Sequence, residues 1–585
     1  MDTKSIKTHL AVFTLFACFG LHALVIWIIY SGFHGISISP ENPHTGVLLG
    51  YYSMARQAYF DAYSYRPIII LVVLGLALIT RGLISKTLTN PDSRALTLRS
   101  LVNILLGFHA IAGILYLIAP GYIDAGESVV AMLSLMTASG NQIYNGLEDP
   151  DLANTYYGPS LFLANSLFHK ILSGSPVLAS KLQGVVFEWI ALIGFIISAR
   201  KRFTRQKADL ILAFLLTGLF PFLAWTFCNR ADSLILSCAL GGLAFAINPS
   251  KKAAIIGFAI CTAIGVNSKI TSASVFIGVF GILCHERGFR TALLSGLLSI
   301  VLFFLPFTIT HLFNIGNYII YLKLAKDHTF LTELFHENLG FAMLLIAPLL
   351  ILLYIRKKQA SKISHSIRWQ SLFSLGLGLL LMSITASKMG SGFYHLMAFV
   401  PIVAINLGLV GDQLILKEQK SLLLQGCAYG WPLTIILLSL GGITQVLYLP
   451  KGPTENEASI EIQQIVTENP NHSIAMGYGE HDDYLNSLTG LRPHLFRTTG
   501  RATFNLVSFI EYNAAGIRIP EESAQLLQGQ TYDLYVLPAQ PGTHPFSAKL
   551  LEETGIGEAF INNYHLLAQK QFFQVWGAKS RFTKP

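Results

Sequence analysis

Two carboxylates, Asp124 and Glu127, stand in the stretch GYIDAGESVV, directly after a long apolar run of the sequence. They are three residues apart, so they would share one face of a helix that begins there. Such a pair could take a proton from a hydroxyl group and orient that group for attack. The alternative is structural: Asp124 would cap the helix, and Glu127 would complete the capping interaction at its positive end.

Cationic side chains recur at the ends of three later apolar runs, in the stretches NRADS, NSKIT and SKMGSGFYHL. Fixed positive charge of this kind stabilises an anion such as a phosphate group. The alternative is that each long side chain lies at a lipid interface with its charged head in water, and that His395 is satisfied by the backbone. The residues predicted to bind the anion are Arg230, Lys269, Lys388 and His395.

The composition is that of a membrane protein with many spans. Of the 585 residues, 52% are hydrophobic and only 12% are charged, whereas globular domains carry about 25% charged residues. The formal net charge is +9, but the basic residues fall in short clusters between apolar runs, which argues against a nucleic-acid ligand. The six cysteines lie in or beside apolar runs without metal or redox spacing, so we expect them to be small buried residues.

Spanning helices need about 20 predominantly apolar residues. The sequence predicts about thirteen of them, with a retained first helix and the N-terminus in the cytoplasm. They lie near 9–30, 67–83, 100–119, 178–199, 208–226, 231–248, 253–267, 270–284, 291–312, 338–355, 369–386, 393–411 and 428–449. The division at Asn267, Ser268 and Lys269 separates two short spans. Because basic residues mark cytoplasmic loops, the loop 120–177 and the C-terminal tail should lie outside the cytoplasm.

We therefore predict an all-α polytopic membrane protein with a small α/β domain at 451–585. This tail is polar and contains the strand-like runs SIAMGYG, YDLYVLP and HLLAQKQFFQVWG. Residues 1–99 would form an N-terminal extension with two spans, and 100–450 would form the catalytic membrane core. The outer loop 313–337 is predicted to be either a lid over the site or an interfacial amphipathic helix.

Several stretches together resemble the GT-C membrane glycosyltransferases: IDAGESVVAMLSLMTASGNQIYNG, TYYGPSLFLANSLFH, NRADSLILSCALGGLAF and SKMGSGFYHLMAFVPIV. Within that superfamily, the chain is similar to bacterial relatives of protein O-mannosyltransferases and lipid A aminoarabinose transferases, over about 120–410. The first loop of these proteins usually carries an adjacent Asp-Glu pair. Here the spacing from Gly140 and Tyr144 favours Glu127 as the second member, with Gly126 in the first position. Either Asp124 or Glu127 could therefore take the catalytic role.

The resemblance implies an enzyme of the bacterial inner membrane that moves a sugar from a polyprenyl-phosphate donor to an acceptor outside the cytoplasm. The acceptor is a lipid, a glycan or a protein. One loop carboxylate would remove the hydroxyl proton, and a single displacement would invert the anomeric carbon. The residues predicted to contact the substrates are Asp232, Tyr144, Tyr157 and Tyr394. Tyr157 could equally be an interfacial anchor.

No cofactor is expected from the sequence. Glu148, Asp149 and Asp151 are better explained as a solvated turn around Pro150, since their spacing is irregular and no His or Cys joins them. A divalent cation shared by loop carboxylates and the lipid phosphate is the alternative.

Two other classes of function compete with a transferase. A transporter or lipid flippase should carry ionisable residues near the middle of the bilayer and often has repeated halves. The predicted charges instead collect at outer helix ends, and the sequence has no matching halves. A non-catalytic assembly protein that binds a partner through its C-terminal domain is the third possibility, and it would tolerate loss of Asp124 and Glu127.

Overall fold

The structure is a computed structural model. It describes residues 91–119, 122–123, 125–146, 155–172, 174–358, 369–388, 391–417, 455–477, 492–500, 521–539 and 555–582. Asp124 and the predicted spans at 9–30, 67–83 and 428–449 lie outside the described residues, as does nearly all of the predicted N-terminal extension.

Helices make up the membrane part of the chain. In chain order they are α1 (Pro91–Ile118), α2 (Ala125–Ala138), α3 (Pro159–Ile171), α4 (Pro176–Arg202), α5 (Arg205–Leu219), α6 (Ala231–Ala246), α7 (Lys251–Ser268), α8 (Ala273–Arg287), α9 (Phe289–Ile309), α10 (Ile315–Asp327), α11 (Thr332–Lys358), α12 (Trp369–Thr385) and α13 (Val400–Lys417). Each span predicted between 100 and 411 coincides with a helix. The prediction at 208–226 was wrong in one respect: α5 ends at Leu219, and a 3₁₀ turn, Phe220–Phe222, and a short helix, Leu223–Thr226, follow. Pro221 accounts for the break because it has no N–H to continue the helix.

Within the described residues, five segments are long and apolar enough to cross a membrane. They are Leu101–Ile118, Pro176–Arg202, Phe289–Ile309, Thr332–Tyr354 and Phe393–Val410. The predicted total of thirteen spans goes beyond what these helices establish. On α9, large apolar side chains such as Ile300 and Val301 are more than half exposed, which suits contact with lipid.

The division predicted near Asn267 is confirmed. Helix α7 ends at Ser268, a 3₁₀ turn covers Ile270–Ser272, and α8 begins at Ala273. The Ser272 hydroxyl donates to the carbonyl of Gly265 at 2.9 Å, which satisfies one of the last carbonyls of α7. The turn leaves Lys269 in an extended conformation at the end of α7.

The C-terminal tail contains the predicted small sheet, with strands in the order β1-β2-β4-β3. The strands are β1 (Ile474–Met476), β2 (Leu534–Pro538), β3 (Tyr564–Gln569) and β4 (Phe573–Ala578). β1 is parallel to β2, and the other two pairings are antiparallel. The last strand-like run of the sequence is a hairpin of two strands. The accompanying helices are α14 (Glu455–Glu468), α15 (Arg492–Thr499), α16 (Glu521–Gln528) and α17 (Ile556–Asn563).

Helix α15 joins the tail to the membrane part by packing against α2 and α4. Leu495 lies in the apolar core on one side of the sheet, whereas the neighbouring Phe496 belongs to the core that continues into the membrane helices. Arg497 also donates to the carbonyl of Gly174 at 2.6 Å. The tail therefore rests on the helix that carries Glu127.

Candidate active site

A buried cluster of charged side chains lies where α6 begins and α7 ends. Asp232 is in the first turn of α6, and its carboxylate accepts a hydrogen bond of 2.7 Å from Nδ1 of His395. The Lys269 ammonium lies 3.5 Å from the same oxygen, and Nε of Arg230 lies 3.8 Å from the other. All four residues are less than 10% exposed. The positive end of α6 adds to the field that holds the carboxylate.

Among the residues that the structure describes, the cluster contains more positive than negative charge. Arg230 and Lys269 are two permanent cations against the single carboxylate of Asp232, and His395 stands 3.3 Å from the Lys269 ammonium. Fixed cations that converge in this way stabilise an anion placed beside them. The sequence predicted that Arg230, Lys269 and His395 converge at helix ends. Arg230 and Lys269 do flank the ends of α6 and α7, and all three residues are also buried, because α6 packs against α7 and against the 3₁₀ turn Phe393–Phe399.

Aromatic side chains surround the guanidinium of Arg230. Its Nη2 donates to the hydroxyls of Tyr157 and Tyr394, each at 3.3 Å. Tyr394 stacks on Trp225 with 4.7 Å between ring centroids and 12° between planes. The guanidinium carbon lies 5.5 Å from the Trp225 ring and 5.1 Å from the Tyr394 ring, within the range of cation–π attraction. These contacts hold Arg230 in one orientation.

Tyr144 contacts the main chain of Tyr157 and helps to position it. Its hydroxyl donates to the carbonyl of Tyr157, and its side chain is completely buried. Burial raises the pKa of Tyr144 well above its usual value, with Tyr318 adding to the effect, so the hydroxyl stays protonated and able to donate. The hydroxyl of Tyr144 is thus committed to the main chain, and contact of this residue with a substrate stays a prediction.

The first loop is joined to the end of α7 at Gly158. Its N–H donates to the carbonyl of Ser268 at 2.9 Å, and the N–H of Ser160 donates to the Asn267 side chain at 2.7 Å. A Cβ on Gly158 would lie 1.5 Å from the Asn267 carbonyl oxygen, so only glycine permits this approach. The contact sets Tyr157 beside Lys269, whose ammonium lies 5.6 Å from the Tyr157 ring centroid.

We expect Gly158→Ala to damage both stability and function. The added methyl group meets main-chain atoms, so overpacking should cost about 3 kcal/mol of unfolding free energy. Displacement of Tyr157 by about 1 Å should lower turnover by about 10²-fold. Thermal unfolding and turnover of the purified variant measure both effects. The matched control is Gly194→Ala, which adds the same methyl group at a helical position with nothing within 4 Å. Equal behaviour of the two variants would contradict the prediction.

Glu127 lies in the first turn of α2 and is completely buried. One carboxylate oxygen accepts from the N–H of Ile123 at 2.7 Å. The other accepts from the N–H of Asn229 at 2.8 Å and from the hydroxyl of Tyr116. Much of this matches the structural interpretation of the pair, in which Glu127 satisfies N–H groups near the start of a helix. Asp124 lies outside the described residues, so its role stays a prediction.

Lys388 contacts a different element from the other predicted cations. Its ammonium donates to the carbonyls of Ala325, at 3.0 Å, and Lys326, at the end of α10. A bridge between Phe330 and Lys388 extends this contact. These bonds take part of the hydrogen-bond donor capacity of the ammonium. The role of Lys388 in phosphate binding stays a prediction. Most of the loop 313–337 is helical, which leaves both the lid and the amphipathic helix open.

Two buried polar residues near the site, Lys181 and Asn165, were not predicted from the sequence. Lys181 is completely buried, and its ammonium donates to the Ala119 carbonyl at 2.6 Å and lies 5.1 Å from the Tyr116 ring centroid. Asn165 donates to the side chain of Asn229. The available signal was a lysine inside the predicted span 178–199, since an ionisable residue in a span is functional by default.

Within the described part of the chain, no three His, Cys, Asp or Glu side chains come together as metal ligands would. Glu148, Asp149 and Asp151 fall outside that part. The alternative of a shared divalent cation therefore stays untested.

No protein-family model matches the sequence, and no curated protein is similar to it in sequence. Similarity appears among solved structures. ArnT from Cupriavidus metallidurans bound to undecaprenyl phosphate has a TM-score of 0.50 and 11% identity, over 83% of this chain and 99% of ArnT. The apo state of the same protein has a TM-score of 0.46 and 12% identity, over 81% and 97% of the two chains. The archaeal oligosaccharyltransferase AglB from Archaeoglobus fulgidus, in complex with an inhibitory peptide and a dolichol-phosphate, has a TM-score of 0.44 and 11% identity, over 82% and 74%. At such identity the likeness concerns the fold alone: the chain has the fold of ArnT, which agrees with the resemblance seen in its sequence.

Proposed function

We propose that the chain is a membrane glycosyltransferase that moves a sugar from a polyprenyl-phosphate carrier to an acceptor hydroxyl. The observation that carries the proposal is the convergence of two buried cations, Arg230 and Lys269, and of His395 around Asp232. The GT-C fold adds support, because ArnT, which shares it, binds undecaprenyl phosphate. A phosphate group that enters the cluster would lie beside both cations.

The cluster suits the phosphate that leaves in such a reaction. As the bond between the anomeric carbon and the phosphate oxygen breaks, the electron pair goes to that oxygen and negative charge grows there. Cations already held by Asp232 and by the hydroxyls of Tyr157 and Tyr394 would stabilise this charge without reorganising. The aromatic rings of Trp225 and Tyr394 offer a flat apolar wall beside the phosphate position.

A loop carboxylate would take the acceptor proton while the hydroxyl oxygen bonds to the anomeric carbon. A single displacement inverts that carbon. Of the two candidates, Glu127 is completely buried and already accepts from Ile123, Asn229 and Tyr116, so its surroundings favour Asp124 as the base. We further propose that this site and the C-terminal domain face the outside of a bacterial inner membrane, where the acceptor is a lipid, a glycan or a protein.

One observation favours the rival function of transport. His109 and Glu188 lie near the middle of α1 and α4, both buried, with 3.0 Å between Nε2 and Oε1. An ionisable pair at this depth is the feature expected of a transporter or flippase. A glycosyltransferase needs the pair only to hold α1 against α4.

An assay of purified protein in lipid nanodiscs, supplied with radiolabelled polyprenyl-phosphate sugars, distinguishes a transferase from a flippase. We expect the wild type to release polyprenyl phosphate and to transfer the label to acceptors. Glu188→Gln should keep turnover within about threefold of the wild type, because this substitution removes a charge beside His109 and leaves the cation cluster unchanged. In vesicles, the same protein should not move the labelled donor between leaflets. Translocation without transfer, abolished in Glu188→Gln, would overturn the proposal in favour of the flippase.

A further inference from the structure

The completely buried carboxylate of Glu127 connects three separate parts of the chain. Tyr116 belongs to the last two turns of α1, Ile123 to the loop that follows, and Asn229 to the segment that leads into α6. All three donate to this one side chain. Hydrogen bonds to an ionised acceptor are about twice as strong as neutral ones, so the three bonds form a firm junction. We propose that Glu127 is a positioning residue that fixes the main chain at Asn229 and thereby aims Arg230 at the phosphate; this inference rests on the proposed function.

Further hydrogen bonds hold Asn229 in place at the junction. The Asn229 side chain donates to the main-chain carbonyl of Glu127 at 3.2 Å and accepts from Asn165. Asn165 also donates to the carbonyl of Ser180 at 3.0 Å, which ties α3 and α4 to the same point. The hydroxyl of Tyr116 accepts from the N–H of Asn229 at 3.0 Å as well. Asn229 therefore has little freedom to move relative to α1, α2 or α3.

Arg230 follows directly and has little freedom of its own. It is the residue before α6, in an extended conformation, and its N–H donates to the carbonyl of Cys228 at 2.7 Å. Its guanidinium lies between the hydroxyls of Tyr157 and Tyr394. A rotation of the peptide at Asn229 would therefore swing Arg230 away from these hydroxyls and from Asp232.

A buried ion needs compensation, and the surroundings of Glu127 supply it. Lys181 is equally buried, with its ammonium 5.1 Å from the ring of Tyr116 and 5.7 Å from the ring of Tyr122. Lys181 thus places a buried cation next to Tyr116, the residue whose hydroxyl donates to Glu127. Protonation of Glu127 would remove acceptor capacity from donors that have no water to replace it. A general base must give up that capacity in every turnover, whereas a positioning residue keeps it.

The test compares two variants, Glu127→Gln and Tyr116→Phe, with the wild type. The control is Tyr354→Phe, which repeats the tyrosine substitution at an exposed position of α11. Undecaprenyl phosphate is the probe, and binding and turnover are measured in nanodiscs. Loss of one bond to a charged acceptor should weaken binding about 10-fold in each of the first two variants. The double variant should be no weaker than Glu127→Gln alone, because both changes break one junction. Tyr354→Phe should bind as the wild type does.

A base gives a different pattern, which would overturn the inference. Glu127→Gln would then lose turnover at saturating donor with unchanged affinity for undecaprenyl phosphate, and Tyr116→Phe would have little effect on that affinity.

Amide hydrogen exchange of the peptide 227–232 supplies a readout that needs no ligand. We expect faster exchange there in Glu127→Gln and Tyr116→Phe, and unchanged exchange would contradict the junction. If wild-type protein binds no undecaprenyl phosphate, the proposed function fails, while the exchange measurement still decides whether Glu127 fixes Asn229.

Discussion

Asp124→Asn is expected to lower sugar transfer by about 10³-fold, within the 10²–10⁴ range that a general base contributes. The amide cannot accept the proton of the acceptor hydroxyl, so the chemical step slows. Binding of undecaprenyl phosphate should change by less than about twofold, since the cation cluster is intact. Turnover at saturating donor, measured beside lipid-phosphate affinity, separates the two effects.

The control for this change is Asp151→Asn, which neutralises another carboxylate of the same loop. It should keep turnover near that of the wild type. If Asp124→Asn retained turnover, the loop carboxylate would be a helix cap and the base would have to be sought among other residues. If both variants lost turnover equally, the two carboxylates would share one role, as in the alternative of a cation bound by the loop.

The helical part of the fold was largely accessible from the sequence, because length and apolar content decide where a helix can cross lipid. The turn at Asn267 to Lys269 was found for the same reason, since its polar residues interrupt an apolar run. The break after α5 was missed, although Pro221 marks it. In the tail, the run HLLAQKQFFQVWG looked like one strand because its turn, around Lys570 and Gln571, contains neither glycine nor proline.

The geometry of the site was accessible only in outline. Lys269 and Lys388 stand in similar surroundings in the sequence, NSKIT and ASKMG, yet one lies beside Asp232 and the other at the end of α10. Which of two such lysines joins the cluster depends on helix packing between distant parts of the chain. The junction at Glu127 was hidden for the same reason: its partner Asn229 is 102 residues away.

Lys269→Met is expected to weaken undecaprenyl-phosphate binding and to reduce transfer by about 10²–10³-fold, the usual effect of removing one group that stabilises developing negative charge. Methionine keeps much of the length of the side chain and removes the ammonium group, with its charge and its hydrogen-bond donors. The matched control is Lys388→Met, the same change at a lysine whose ammonium donates to the carbonyls of Ala325 and Lys326. Loss of binding in Lys388→Met alone would reverse the assignment of the two lysines.

The unfolding free energy of Lys269→Met shows whether Lys269 serves the ligand or the fold. If Lys269 were merely the structural partner of Asp232, its removal should destabilise the fold by about 3–5 kcal/mol, as breaking a buried ion pair does. We expect a much smaller loss, because Arg230 and His395 remain to hold the carboxylate. In the wild type, undecaprenyl phosphate should raise the unfolding temperature by binding the folded protein beside Arg230 and Lys269. Lys269→Met should lose most of that rise, since only one permanent cation is then left to balance Asp232.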